Sequence, residues 1–171
     1  TINAAMCADV TSARYGEHAS NLGPLIASSF GERFHRPAFI VDPVTVDELQ
    51  PVARMTGLPE IKRISRFHAL NQKAVARKAS ADLGFPYESI SLVVAHLGGG
   101  ISVAAHENGK VIDVNDAMNE GPFSADRAGS LPTFPLIDMA FSGQYDRSSL
   151  KRRLVGQGGL VALVGTTDCK L

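Results

Sequence analysis

The chain has no tryptophan, only two cysteines, and aromatic residues at just 6% of its length. Cys7 and Cys169 stand near opposite ends and share no metal-ligand spacing, which argues against a disulfide scaffold or a zinc site and for a reducing compartment. An excess of either charge is also missing. Lys plus Arg and Asp plus Glu number 17 each, so no overall field draws the chain to nucleic acid or to an acidic membrane. No apolar run approaches the roughly 20 residues needed to span a bilayer. The first residues lack the basic-then-apolar order of a signal peptide. These absences predict a soluble, cytoplasmic protein whose partners are neither nucleic acid nor membrane. No Ser-His-Asp order, Cys-His pair, internal repeat or low-complexity linker is present. What remains is a chain of 171 residues, 44% hydrophobic and 20% charged, enough for one sizeable core.

Its most informative stretch is Ser91 to Val114, SLVVAHLGGGISVAAHENGKVIDV. An apolar strand, a triple glycine, a second strand, an Asn-Gly turn and a third strand follow in order. Asn108-Gly109 is a strong two-residue hairpin signal, because both positions tolerate positive φ. Gly98, Gly99 and Gly100 therefore lie within a run of hairpins and do not open a helix, as a dinucleotide-binding turn would. Three residues without Cβ allow a tight turn and close approach of a ligand, and clustered amide N–H groups make a cradle for phosphate oxygens. The same glycines also suit a softened hairpin with no ligand.

Around this stretch, helical patterns alternate with short apolar runs. Ser20 to Phe30 reads as a helix capped by Ser20 or Asn21, with Pro24 in its first turn. Pro37 to Val41 reads as a buried strand ending at Asp42-Pro43, and Thr45 to Met55 as a helix started by Thr45. Phe67 to Leu83 has the clearest helical spacing, with Gly84 as its stop. Asn115 to Thr133 is polar and irregular. Helices are expected near Leu136 to Phe141 and Arg147 to Val155, and a glycine-rich turn with an apolar strand over Gly156 to Thr167. The class is α/β or α+β.

The reactive side chains fall at the edges of these elements. Asp42 closes a predicted strand, where α/β proteins place residues facing a cleft, but it would equally cap a turn. His68 opens the long helix, where the dipole disfavours its charged form and a neutral ring can donate to a phosphoryl oxygen. His96 flanks the glycines, and Arg127 carries a rigid fork of donors suited to phosphate or carboxylate. Oxygen-bearing residues of this kind can support Mg²⁺ held mainly by nucleotide phosphates.

AHLGGGISVAAHENGKVIDVN followed by GPFSADRAGSLP closely resembles the butyrate kinases of the acetokinase family, within the sugar kinase, Hsc70 and actin superfamily. EHASNLGPLIA, PAFIVDPV, PEIKRISRFHALNQKAVAR and GQGGLVALVGT are similar to the same family, so the resemblance runs from about Tyr15 to Asp168. It implies an actin-like α/β kinase fold with ATP and Mg²⁺ as cofactors. The implied reaction moves the γ-phosphoryl group to the carboxylate of a short-chain fatty acid. By the same resemblance, Asp42 orients the acyl carboxylate or associates with the metal, His68 contacts the transferred group and Arg127 neutralises its charge. His96 with Gly98, Gly99 and Gly100 becomes the nucleotide-phosphate loop. His18 and Asn21 resemble substrate-side residues, and Phe67, beside His68, is a candidate wall of the acyl pocket. His35, His106 and both cysteines are assigned structural roles.

Two departures bear on specificity and completeness. Acetate kinases carry Asn where this chain has Gly99, and their arginine motif reads differently from DRAGS, which favours the butyrate branch over an acetate or propionate kinase. The family's N-terminal Pro-Gly-Ser-Thr-Ser phosphate loop and later Gly-Gly adenosine motif are not found in this sequence. By resemblance, residues 1–42 are the tail of the first lobe and 43–171 the beginning of the second, in a protein about twice as long. The expectation is an internal fragment that is inactive alone and belongs to a homo-oligomer when whole. A non-catalytic nucleotide-binding module and a purely structural fragment are the alternatives from other classes.

Overall fold

The structure, a computed structural model, describes residues 22–170. At its centre is a three-stranded antiparallel meander: β1 (Leu92–Leu97), β2 (Ile101–Glu107) and β3 (Lys110–Val114), paired in that order. The expected hairpins are therefore present. Leu97 pairs with Ile101, so the chain reverses across Gly98, Gly99 and Gly100 alone. Asn108 and Gly109 take φ of 50° and 74°, the left-handed pair that a two-residue hairpin turn requires. Along β2, Ser102, Ala104 and His106 alternate inward while Val103 faces out, the period-two pattern of a strand with one buried face. Between β2 and β3 the register slips beside Ala105 and His106, which leaves Ile112 opposite no partner. Its carbonyl is thereby free to accept from the Gln50 N–H at 3.0 Å, tying the segment before the long helix to the sheet.

That long helix, α2 (Ala69–Asp82), lies across the sheet; α1 (Leu22–Phe34) precedes it in the chain. The buried positions of α2 are Ala69, Gln72, Lys73, Ala76 and Ser80, spaced as one helical stripe. Three of the five are polar, and each has a partner inside: Gln72 on β2, Lys73 on Glu48, and Ser80 on the Ala76 carbonyl. The apolar core gathers Phe67 and Ala69 from the helix entry, Leu49 and Ala53 from the segment before it, and Ala104, Val111 and Val114 from the sheet. After β3 the chain runs without regular structure to α3 (Thr133–Phe141), as expected, followed by α4 (Arg147–Leu154) and α5 (Gly159–Val164). Asp146 caps α4 by accepting from the Ser149 N–H at 2.6 Å. The irregular stretch is nevertheless pinned. Asn115 accepts from Val103 N–H at 2.7 Å and donates to the Ile101 and Glu120 carbonyls, and Asp116 is clamped by Arg66.

Three expectations need correction. Pro37 to Val41 forms no strand: none of the three strands takes it as a neighbour, and Phe39 and Val41 are more than half exposed. Thr45 to Met55 is not an α-helix but an irregular run closed by one 3-10 turn, Pro51–Arg54. The cause is Pro51, whose ring drives Gln50 to ψ 150° and forbids continuous helix through it. The apolar run GLVALV is a helix, not a strand, because Gly158 starts it in an extended conformation and Gly165, at φ 76°, ends it as a left-handed cap. Among the described residues, no helix is long and apolar enough to cross a membrane.

Candidate phosphate-handling site

His68 is the N-cap of α2, held there by the Phe67–Val44 backbone bond on one side and its own carbonyl, which accepts from Gln72 N–H, on the other. His96 lies near the end of β1. The crossing of helix and sheet stacks the two imidazoles face to face, with centroids 3.7 Å apart and planes 7° from parallel. Each ring is fixed by one further contact: His68 Nδ1 lies 2.9 Å from Ser102 Oγ, and His96 Nδ1 lies 2.9 Å from Asn71 Nδ2. Two stacked cations at that distance would repel strongly, so the geometry disfavours both rings being charged at once. Burial first, then the charges of His96 and Arg127, pulls His68 down to about 4 from its usual 6.5. It is uncharged throughout the physiological range.

The glycine loop is shaped by these side chains. A Cβ at Gly100 would lie 2.8 Å from Cζ of Arg127 and closer still to Nη1, so the guanidinium rests directly on the Gly100 backbone. A Cβ at Gly98 would meet His96 Nε2 at 3.0 Å, whereas at Gly99 nothing lies within 4 Å. The Gly99 carbonyl accepts from Ser124 Oγ at 2.6 Å, which braces the loop from the segment that carries Arg127. Arg127 itself donates from Nη1 to the Ala117 carbonyl at 2.7 Å. Its backbone bridges to Val155, and its carbonyl accepts from Ser124 N–H. Arg127 Nε and Asp126 Oδ1 are buried 3.8 Å apart, and neither has a hydrogen-bond partner among the described residues.

Chemically, this is a concentration of donors. One fixed guanidinium, the neutral ring of His68, the His96 imidazole and a glycine loop open at Gly99 suit the oxygens of a phosphoryl group. The structure thus brings together His68, His96, Gly98, Gly99, Gly100 and Arg127. It does not bring Asp42 to them. Asp42 sits at φ 42° against Arg77 at 3.3 Å and Lys73 at 3.9 Å. Those residues are five and nine positions beyond His68, about 8 and 14 Å along the helix axis at its ordinary rise. With two cations on its carboxylate, this arrangement does not fit a Mg²⁺ ligand. Phe67 is 2% exposed, within the core and not on an open wall. His18 and Asn21 lie outside the described residues. Ser102, Gln72 and Asn71 were not anticipated. Yet His68, Asn71 and Gln72 stand at i, i+3 and i+4 of the helix, a spacing that already places them on one face.

Solved structures share this architecture. The chain aligns with Porphyromonas gingivalis acetate kinase at a TM-score of 0.81 and 21% identity, over 99% of this chain and 45% of that one. For a propionate kinase from Francisella tularensis the values are 0.77 and 19%, over 99% and 46%. Entamoeba histolytica acetate kinase aligns at 0.60 and 20%, over 72% and 33%. At these identities the likeness establishes the fold: an α/β unit with an antiparallel sheet, part of the actin-like architecture of these kinases. The chain spans less than half the length of each. Residues 56–171 match the acetokinase family model, and the chain belongs to the acetokinase family.

Proposed function

We propose that this chain is an internal part of a carboxylate kinase that phosphorylates a short-chain fatty acid, butyrate by preference, at the expense of ATP. Residues 1–42 would complete a first lobe and 43–171 begin the second, in a homo-oligomer when whole. The observation that carries the reading is the donor cluster built from His68, His96, Gly98 to Gly100 and Arg127. In the reaction a carboxylate oxygen of the acid bonds to the γ-phosphorus and the bond to the β–γ bridging oxygen breaks. ADP leaves with that electron pair, and the product is an acyl phosphate. The acceptor is already ionised at neutral pH, so no general base is needed. The protein's task is to position donors on the equatorial oxygens, where charge is spread in the transition state.

Arg127 and neutral His68 would hold those oxygens while the loop amides take the nucleotide phosphates. Mg²⁺ would arrive with the nucleotide and offset phosphate charge when bound. Asp42, salt-bridged to Lys73 and Arg77, is better suited to bracing the approach to α2 than to ligating metal. Gly99, in place of the Asn found at this position in acetate kinases, supports the butyrate preference, while the solved neighbours favour an acetate or propionate kinase. The test is hydroxylamine trapping of acyl phosphate from Mg-ATP with acetate, propionate and butyrate, using the chain alone and joined to complementing family segments. Turnover only in the joined form, fastest with butyrate, is expected. Faster turnover of acetate would move the chain to the acetate branch. A folded joined form without product would leave a nucleotide-binding module.

A further inference from the structure

A chain of buried polar groups runs from the interior to His68. Ser102 is 0% exposed, Gln72 0% and His106 1%. Tyr87 Oη lies 2.7 Å from His106 Nδ1, His106 Nε2 lies 3.2 Å from Gln72 Oε1, and Gln72 Nε2 lies 2.8 Å from Ser102 Oγ, itself 2.9 Å from His68 Nδ1. The direction of every proton is set at one point. Gln72 Nε2 is also 2.9 Å from the Ser102 backbone carbonyl, which can only accept, so the amide nitrogen must face it.

Gln72 Oε1 then faces His106 Nε2 and requires an N–H there. Burial keeps His106 below its ordinary pKa and hence neutral, so its Nδ1 is bare and accepts the Tyr87 hydroxyl. On the other side, Ser102 Oγ receives the second N–H of Gln72. The backbone N–H of His68, 3.5 Å away, is also a donor. Among the described residues, His68 Nδ1 is thus the one acceptor in reach of the Ser102 hydroxyl proton, and an O–H buried without an acceptor is costly.

We propose that Ser102 and Gln72, backed by His106 and Tyr87, are positioning residues that lock His68 in the tautomer with Nδ1 bare and Nε2 protonated, so that it presents an N–H donor to an anion. The tautomer itself is independent of the kinase reading; only its use on a phosphoryl group rests on that reading.

The experiment is nitrogen NMR on the whole chain with ¹⁵N-labelled histidine, His68 being assigned by its loss in a His68→Gln variant. The Nε2–H form of His68 is expected in excess by about tenfold or more, the bias that one buried hydrogen bond confers. Gln72→Glu keeps the shape but turns the amide donor into an acceptor. The Ser102 hydroxyl should then point to residue 72 and His68 should shift to Nδ1–H. Ser102→Ala should leave the two forms mixed. A His68 of the unaltered chain that carries its proton on Nδ1, or shows no preference, overturns the proposal without any variant having to fold. Acyl-phosphate assays read separately: a missing activity with the tautomer intact would count against the kinase reading alone.

Discussion

The three loop glycines should respond differently to the same added methyl group. At Gly100 an alanine Cβ would lie 2.8 Å from Arg127 Cζ, against the 3.5–4.0 Å at which carbon atoms ordinarily rest, so the guanidinium must retreat by about 1 Å. That retreat breaks the 2.7 Å bond from Nη1 to the Ala117 carbonyl. Losing a hydrogen bond to a charged donor costs about 1.5–3 kcal/mol, which for a chain of this length lowers Tm by about 3–12 °C. At Gly99 the methyl enters open space, and Gly99→Ala should leave the melting temperature within about 1 °C, since surface changes usually fall within 0.5 kcal/mol. That open space is where a phosphate would lie, so Gly99→Ala should nonetheless abolish stabilisation by Mg-ATP. Gly98→Ala, 3.0 Å from a ring nitrogen of His96, should fall between the two in stability. Differential scanning fluorimetry with and without Mg-ATP measures both effects. Equal melting temperatures for the Gly99 and Gly100 variants would refute the account of Arg127 resting on the loop.

Two further outcomes follow from groups away from the loop. Asp116 is 1% exposed and accepts from both Arg66 Nε and Nη2, from Met118 N–H and from Asn119 Nδ2; Asp116→Asn should cost about 2–4 kcal/mol in urea unfolding, because Arg66 loses its counter-charge. Acid should also destabilise the chain through His68: the unfolded ring binds a proton near pH 6.5 and the folded one only near 4, so stability is full above 6.5 and falls as pH drops between those values. Allowing for partial exposure of the ring, the loss should reach about 1–2 kcal/mol and be smaller in His68→Gln; an unchanged slope in that variant would sink the assignment.

Local rules carried far where chain neighbours decide the outcome. Asn108-Gly109 fixes a hairpin by φ alone, and Gly84 stops α2 at the expected place with φ 79°. They failed where a single residue or a missing neighbour overrides composition. Pro51 vetoed a helix that Thr45, Asp47 and Glu48 were well placed to start, and the apolar GLVALV run was short enough to satisfy either period. The site divides the same way. His96, the glycines and Arg127 were legible because they sit in two contiguous motifs. Ser102, Gln72 and His106 were not, since their meeting depends on how α2 crosses β2, which no window of sequence contains. Asp42 takes its site role from the family resemblance alone, while the strand it would end is absent and Lys73 and Arg77 pair with its charge.

The parallel imidazoles have a consequence for any anion held beside them. Of the donors gathered at the loop, Arg127 bears a full charge while the neutral ring of His68 contributes a dipole. A slot of three cations would grip any polyanion, release it slowly and lose its hold as salt rises. With one fixed guanidinium and an uncharged donor at His68, the hold on a phosphoryl group placed there would depend on direction as well as on field. Such a slot would select its occupant by the geometry of the oxygens and respond less to ionic strength than one lined by three cations.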